Sequence, residues 1–330
     1  MFRRPSATSK AEVPMSPSKI IAVIGATGSQ GGGLVRAILD DDGSEFRVRA
    51  ITRNPESDAA RALAESGAQV VAADLDQPDS LKEAFAGAHG VFAVTNFWEH
   101  FSPAKEIDQA RNIARAAEDA GVRHVVWSTL EDMREKVPVT DDRMPTLMEK
   151  YSVPHFDGKA EADSAFREMG IPTTFFRTSF YWDNMIHLGG GPSRGEDGVL
   201  ALTLPLGDAK LPGIAAEDIG RCAYGIFRAG DEFMGKTIGV AGEFLTGREM
   251  AEALADALGE EVRYNAISPD IYRSFGFDGA DDLGNMFQVK RDFEDWFCGN
   301  RDLALARRLN PELLTFRDWL ARYADRIPLQ

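Results

Sequence analysis

The fold of this chain is decided by one stretch, residues 20–35, which read Ile-Ile-Ala-Val-Ile-Gly-Ala-Thr-Gly-Ser-Gln-Gly-Gly-Gly-Leu-Val. Its first five residues are apolar, which is typical of a parallel strand covered by helices on both faces. Clustered glycines follow, and apolar residues then recur at helical spacing from Leu34 to Leu39. A strand that passes through a glycine-rich turn into a helix predicts a dinucleotide-binding cradle.

The spacing Gly25-x-x-Gly28-x-x-Gly31 is typical of relatives of the short-chain dehydrogenases. The first glycine permits a tight turn, the second lets the backbone approach a pyrophosphate, and the third lets the helix pack closely on the strand. The helix N-terminus adds unpaired N–H groups and a positive dipole end. The predicted cofactor-binding residues of this turn are Gly25, Thr27, Gly28, Ser29, Gln30 and Gly31.

Composition and charge narrow the classes of function. The 330 residues include 52 acidic and 37 basic side chains, which give a formal charge of −15. This balance offers no basic surface to a phosphate backbone and argues against direct nucleic-acid binding. Cys222 and Cys298 are far apart and the histidines show no metal-ligand spacing, so we predict neither a disulfide framework nor a metal site. Low cysteine content indicates a reducing compartment, and we expect a cytoplasmic protein.

Residues 1–18 are polar and proline-bearing, with no apolar run long enough for a secretion signal or membrane anchor. We expect a disordered lead-in and no membrane association. A transit peptide is the alternative, which Glu12 and the lack of amphipathic length weaken.

Strand and helix patterns alternate from residue 19 onward. We predict strands at Phe46–Thr52, Gln69–Ala73, Gly90–Thr95, His124–Ser128 and Thr173–Thr178, with helices at Ala59–Ser66, Pro78–Phe85, Ala104–Ala120 and Gly158–Met169. This alternation predicts an α/β fold, namely a Rossmann-type doubly wound parallel sheet with right-handed crossovers. The charged segment Glu131–Val153 interrupts the pattern and is expected to form a loop insertion beside the site.

The regular alternation fades after residue 178. We therefore expect an NADP(H)-binding Rossmann domain over residues 19–178 and a smaller C-terminal α/β lobe over residues 179–330. Part of residues 217–240 is expected to return to the main sheet. The lobe would lie over the carboxyl edge of the sheet, where ligands of open α/β sheets bind.

The end of the second strand selects between NAD and NADP. An acidic residue there would hold the ribose 2′-hydroxyl and repel a 2′-phosphate, whereas this chain carries Arg53. We predict NADP(H), with Arg53 on the 2′-phosphate; a solvated loop arginine is the alternative. Asp74, after the third strand, is placed either to contact the adenine amino group or to cap a turn. Thr95 and Asn96 follow the fourth strand and are expected on the nicotinamide side.

The usual proton donor of short-chain dehydrogenases is missing. That donor is the tyrosine of Tyr-x-x-x-Lys, and no tyrosine of this chain has a lysine four residues later. The same spacing occurs as His155-x-x-x-Lys159. Lys159 is predicted to hold the nicotinamide ribose, while His155 and Tyr181 are candidate proton donors. The structural alternatives are a solvated lysine, a hydrogen-bonded loop histidine after Pro154, and a core tyrosine.

Several short motifs follow one another along the chain. They are Gly25-Ala26-Thr27-Gly28-Ser29-Gln30-Gly31-Gly32, Thr52-Arg53-Asn54-Pro55, Val94-Thr95-Asn96-Phe97-Trp98-Glu99, Val153-Pro154-His155-Phe156-Asp157-Gly158-Lys159, Leu204-Pro205-Leu206-Gly207-Asp208, Gly276-Phe277-Asp278-Gly279-Ala280 with Asn285-Met286-Phe287, and Leu309-Asn310-Pro311. On these motifs the chain resembles the NmrA-like family of atypical short-chain dehydrogenases, and within it the HSCARG-type NADPH-sensor branch. The resemblance covers nearly everything after about residue 19.

The resemblance implies a Rossmann domain that binds NADP(H) and a smaller C-terminal lobe. Residues 28–31 would then meet the pyrophosphate and Arg53 the 2′-phosphate. Thr95 and Asn96 would line the middle of the cofactor, and Lys159 would lie at the nicotinamide ribose.

Two functions follow from the resemblance and stay open at this point. Members of the sensor branch lack the catalytic tyrosine and act as regulators whose shape and protein partners follow the NADPH/NADP⁺ status. The first hypothesis is such a sensor, as a monomer or homodimer. The second is an NADPH-dependent reductase of a carbonyl, quinone or unsaturated small molecule that uses Lys159 without the tyrosine.

Overall fold

The computed structural model of the protein describes residues 18–329. The lead-in expected at residues 1–18 lies outside the described residues, apart from residue 18. Within the described part of the chain, no helix is both long and apolar enough to cross a membrane.

The described elements alternate between strands and helices. The strands are β1 (Lys19–Val23), β2 (Phe46–Thr52), β3 (Gln69–Ala72), β4 (Gly90–Ala93), β5 (His124–Thr129), β6 (Thr173–Arg177), β7 (Phe180–Tyr181), β8 (Ser193–Arg194), β9 (Leu200–Leu204), β10 (Lys210–Ile214), β11 (Thr237–Gly239), β12 (Glu243–Thr246) and β13 (Val262–Ala266). The helices are α1 (Ser29–Leu39), α2 (Asp58–Glu65), α3 (Pro78–Phe85), α4 (Pro103–Asp119), α5 (Pro154–Glu168), α6 (Asn184–His187), α7 (Ala216–Arg228), α8 (Gly247–Leu258), α9 (Pro269–Arg273), α10 (Ala280–Asp292), α11 (Glu294–Gly299), α12 (Leu303–Leu309) and α13 (Phe316–Tyr323).

The main sheet contains seven parallel strands in the order β3-β2-β1-β4-β5-β6-β11. The strand order reverses between β1 and β4, which makes their carboxyl ends the switch point at which open α/β sheets bind ligands. The predicted Rossmann-type fold is confirmed. Strand β11 comes from the C-terminal half of the chain and pairs with β6 through Thr237–Gly239.

The predicted start of helix α5 at Gly158 is wrong, because the helix begins at Pro154. Several other predicted ends, such as that of β4 at Thr95 instead of Ala93, differ by one or two residues. Proline suits the first helical position because its missing N–H would find no intrahelical partner there. The carboxylate of Asp157 then accepts hydrogen bonds from the backbone N–H groups of Met133, Ser152 and Val153, which ties the preceding loop to the helix.

Helix α1 packs on its surroundings through backbone at its glycines as well as through the buried side chains of Leu34, Val35 and Ile38. A Cβ atom on Gly31 would lie 2.4 Å from the carbonyl oxygen of Gly25, so only glycine lets α1 begin against the turn. On the next face, Gly33 of α1 meets Gly220 of α7, where a Cβ on Gly220 would lie 2.0 Å from the Leu34 nitrogen. The clustered glycines therefore fix the helix against both the strand and α7.

The C-terminal lobe contains two three-stranded sheets, β12-β10-β7 and β13-β9-β8, with helices α8 and α11 packed on them. Its core includes Trp182, Phe316 and Trp319, and the last two rings stack at 5.9 Å. A buried ion pair between Arg301 of the lobe and Glu131 at the end of β5 joins the lobe to the main sheet. The lobe therefore sits against the carboxyl edge of the strands.

The close contact between α1 and α7 predicts that a methyl group added at Gly220 strongly destabilises the folded protein. Gly220→Ala should lower the free energy of unfolding by about 3 kcal/mol, because the new Cβ meets rigid backbone. Gly299→Ala is the matched control, since a Cβ there meets nothing within 4 Å, and it should change stability by less than about 0.5 kcal/mol. Urea denaturation of both variants measures the difference; equal stabilities would contradict the close backbone approach.

Candidate functional site

The turn between β1 and α1 presents unpaired backbone donors at the carboxyl edge of the sheet. Gly25 has a positive φ of 65°, and Gly28 donates its N–H to the Gly25 carbonyl at 2.9 Å. Gly28 is the N-cap of α1 and offers no capping side chain. The N–H groups of Ser29 and Gln30 have no partner among residues 18–329, and Thr27 is exposed beside them. Such a helix N-terminus binds an anion.

The side chain of Gln30 links this turn to Tyr181. Its Nε2 donates a hydrogen bond to the Tyr181 hydroxyl at 2.6 Å, and its buried Oε1 has no partner among the described residues. Burial raises the pKa of Tyr181, and the hydroxyl also lies 3.3 Å from Thr178 Oγ1. The structure thus brings the candidate proton donor Tyr181 beside the glycine turn, where the Gln30 side-chain amide bonds to its hydroxyl.

Arg53 lies beyond the end of β2 and forms a bidentate ion pair with Glu99. Its Nη1 and Nη2 are 2.9 and 3.0 Å from the two carboxylate oxygens, and both side chains are exposed. Asn96 also donates to Glu99, at 3.3 Å. Arg53, the residue predicted to bind the 2′-phosphate, is therefore paired with the carboxylate of Glu99 in the loop after β4.

Asp74 takes part in a turn after β3. Its Oδ1 accepts the N–H of Asp76 at 3.0 Å, and its own N–H donates to Ser80 at 3.0 Å. Of the two interpretations open from the sequence, these contacts are those of a turn-forming aspartate.

Lys159 is buried and all three of its N–H groups have acceptors. Its Nζ lies 2.9 Å from the Thr95 carbonyl oxygen, 2.7 Å from Thr95 Oγ1 and 2.7 Å from Glu106 Oε2. The Thr95 hydroxyl in turn donates to Glu106 at 2.8 Å. Lys159 is not a solvated helix lysine, because it ties α5 to β4 and α4. A ribose hydroxyl that binds this ammonium has to replace one of these acceptors.

Glu106 is fully buried, and its second oxygen makes no hydrogen bond within residues 18–329. That oxygen lies 3.4 Å from Nε2 of His100, whose pKa is lowered mainly by burial. A signal for Glu106 exists in the sequence: it precedes Ala110, Ile113 and Ala117 at helical spacing, which places a carboxylate on the apolar stripe of α4. A charge on such a stripe indicates a buried partner.

His155 lies in the first turn of α5 and not in a loop, which corrects the alternative considered for it. The residue is buried, and its Nδ1 lies 2.5 Å from Asp282 Oδ1 in the C-terminal lobe. Its backbone N–H also donates to Asp282, at 3.1 Å. The imidazole packs on Trp98 with ring centroids 4.8 Å apart. His155 thus joins helix α5 to the C-terminal lobe.

A cleft of about 270 Å³ opens between the loop after β4 and the lobe. Its lining combines apolar side chains with three aspartates. The lining residues are Phe97, Phe101, Leu147, Met148, Pro154, Asp278, Gly279, Asp281 and Asp282. Among residues 18–329, no group of His, Cys, Asp and Glu is arranged to hold a metal ion.

A second buried lysine, Lys290, lies in the core of the lobe. Its Nζ is 3.2 Å from Met286 Sδ and lies over the ring of Phe297 at 4.8 Å. Burial lowers the pKa of Lys290 to about 7, with the positive charge of Arg301 as a smaller cause in the same direction and Glu131 opposing it. No pattern in the sequence distinguishes this lysine from the exposed ones.

Comparison with known proteins gives one consistent family. A model of the NmrA-like family matches residues 17–320. The NmrA-like family domain-containing oxidoreductase ptmS of Penicillium ochrochloron is 29% identical over 338 aligned residues, which cover 92% of this chain and 97% of the relative. The oxidoreductase malD of Malbranchea aurantiaca is 31% identical over 256 residues, covering 74% of this chain and 75% of malD.

Two solved structures share the fold. The negative transcriptional regulator NmrA, in complex with NADP, superimposes with a TM-score of 0.76 at 23% identity, covering 94% of this chain and 96% of that one. Triphenylmethane reductase of Citrobacter sp., complexed with NADP(H), gives a TM-score of 0.72 at 23% identity, covering 92% and 99%.

Lys290 predicts an unusual pH dependence of stability. The folded pKa of about 7 is below the ordinary value of 10.5, so between these pH values the unfolded chain binds a proton that the folded chain lacks. Stability from this group therefore rises with pH across that window, by at most about 1.4 kcal/mol per pH unit. Lys290→Met should remove this contribution and be more stable than the parent at pH 7. Urea denaturation at pH 7, 8 and 9 tests it; parallel pH profiles would contradict it.

Proposed function

The chain belongs to the NmrA-like family, and from this premise we propose that it binds NADP(H) at the carboxyl edge of its main sheet and acts as a sensor of the NADPH/NADP⁺ ratio. This is the role of the HSCARG-type branch expected from the sequence. The regulator acts through protein partners, as a monomer or homodimer.

Features of the chain's own residues support the cofactor. The unpaired N–H groups of Ser29 and Gln30 suit a pyrophosphate, and the buried, unpartnered Oε1 of Gln30 offers an acceptor to a cofactor hydroxyl or amide. Arg53 offers a cation at the end of β2, where NAD-binding proteins carry an acid. NADPH, when bound, supplies a hydride; the residues named here would hold and orient it.

The observation that carries the sensor role is the position of His155. It stands four residues before Lys159, where short-chain dehydrogenases carry their proton donor, yet its imidazole is bonded to Asp282 of the lobe. Helix α5 thereby connects the lysine expected at the ribose with the C-terminal lobe within about one helical turn. A change in the partners of Lys159 on cofactor binding would shift the same turn that holds the lobe.

A reductase is the second candidate, and a specific observation favours it. The curated relatives ptmS and malD are named oxidoreductases. The cleft beside Phe97, of about 270 Å³, is close to the lower end of the volumes of small-molecule pockets. In this case the Lys159 ammonium would stabilise negative charge that develops on the substrate oxygen, and His155 or Tyr181 would be the candidate proton donor.

The cofactor assignment predicts a selective loss on Arg53→Ala. NADPH should bind at least about tenfold more weakly, because a charge-assisted bond to the 2′-phosphate is lost, while NADH affinity should change by less than about twofold. Arg47→Ala is the matched control, since it removes an exposed arginine at the opposite end of β2. Titration calorimetry measures both cofactors; equal losses for NADPH and NADH would remove the 2′-phosphate contact.

A turnover assay separates the two candidate functions. We expect pure protein to bind NADPH but not to oxidise it with a panel of aldehydes, quinones and enones, and NADPH and NADP⁺ to give different hydrogen-exchange rates in α10. Oxidation that survives Arg53→Ala at saturating NADPH but disappears in Lys159→Met would replace the sensor by the reductase. Glu106→Gln accompanies Lys159→Met, so that no unpaired carboxylate stays buried.

A further inference from the structure

Both cations predicted to hold NADP(H) are paired with carboxylates from one short piece of chain. We call it the β4–α4 segment, residues 94–106, which comprises the connection after β4 and the first turn of α4. Glu99 pairs with Arg53, and Glu106 pairs with Lys159. The two arrangements differ in burial: Glu106 is fully buried, whereas Glu99 and Arg53 are 46% and 65% exposed.

The Arg53–Glu99 pair has the geometry with which a guanidinium binds a phosphate. Two parallel N–H···O bonds of 2.9 and 3.0 Å join Nη1 and Nη2, on one edge of the guanidinium, to the carboxylate. A phosphate would accept hydrogen bonds from the same two donors. We propose that Glu99 is an internal competitor of the cofactor 2′-phosphate, and that NADP(H), but not NAD(H), detaches the β4–α4 segment from Arg53. This inference rests on the proposed binding of NADP(H).

Movement of the detached segment would alter the contacts that its aromatic residues make with the lobe. Trp98 packs on the imidazole of His155, and a Cβ on Gly279 of the lobe would lie 2.8 Å from the Trp98 ring. Phe101 packs on Trp98 at 5.7 Å and holds a positive φ of 52°, a strained value for a phenylalanine. The segment is thus strained, lies between Arg53 and the lobe, and loses an anchor when Glu99 is displaced.

The same segment keeps its other anchor. Glu106 shares its Oε2 between the Thr95 hydroxyl and Lys159 in a buried site, and removing one partner of such a pair is costly. An exposed pair such as Arg53–Glu99 contributes little to stability and exchanges readily with another anion. Release is therefore expected at residues 96–101 and not in α4.

The competition predicts that removing the Glu99 charge improves NADPH binding. In Glu99→Gln, NADPH should bind about two- to fivefold more tightly than in the parent, while NADH affinity stays the same, because only NADPH carries the competing phosphate. Glu56→Gln is the matched control: it removes an exposed carboxylate three residues from Arg53 that makes no contact with this arginine. Titration calorimetry with each cofactor provides the affinities.

Hydrogen exchange gives the second readout, without any need for turnover. NADPH should speed the exchange of residues 96–101 in the parent, and Glu99→Gln should exchange at the faster rate before any cofactor is added. NADH should leave the rates unchanged in both proteins.

The outcomes separate this inference from the proposed function. A parent protein that binds no NADPH would overturn the proposed function itself. If the parent binds NADPH but Glu99→Gln binds it equally or more weakly, Glu99 is not a competitor. An equal gain for NADH, or an equal gain in Glu56→Gln, would show a general effect of charge and would also overturn it.

Discussion

Backbone packed against backbone at the start of α1 is the constraint on which the rest of the structure depends. Gly31 lies so close to Gly25 that no side chain fits between the helix and the turn, and Gly33 meets Gly220 of α7 in the same way. The first contact aims the N–H groups of Ser29 and Gln30 beyond the sheet edge. The second fixes a helix from the C-terminal half against the first helix of the chain. One cluster of glycines thus orients the turn between β1 and α1 and joins the two halves.

Local signals predict the sheet well and the site in part. The bounds of β2 and α3 follow from the sequence. Apolar residues that alternate with Arg47 and Arg49 mark the strand, and an initial Pro78 marks the helix. The start of α5 does not, because Pro154 indicates either a loop or a first helical turn, and the bonds from the Asp157 carboxylate decide between them. Among the candidate site residues, the glycine turn and Arg53 are identified by their place beside a strand.

The partners of those residues were beyond prediction for a physical reason. Glu99 is 46 residues from Arg53, and Asp282 is 127 residues from His155, so no local pattern relates them. Glu106 is the exception, since a carboxylate on an apolar helical stripe needs a buried cation. The sequence therefore predicts the basic residues Arg53 and Lys159 of the candidate site, whereas their pairing with Glu99 and Glu106 is seen only in the folded chain.

Strand β11 has a consequence for how this protein is made. It pairs with β6 and completes the main sheet, although some sixty residues of chain separate the two strands. Until the ribosome has delivered residue 239, β6 is an edge strand whose N–H and C=O groups are open to pairing with another chain. We expect the N-terminal half of the sheet to stay incomplete while the chain between β6 and β11 is being translated. Its assembly has to wait for the lobe, and a nascent chain that stalls between the two strands would expose an aggregation-prone edge.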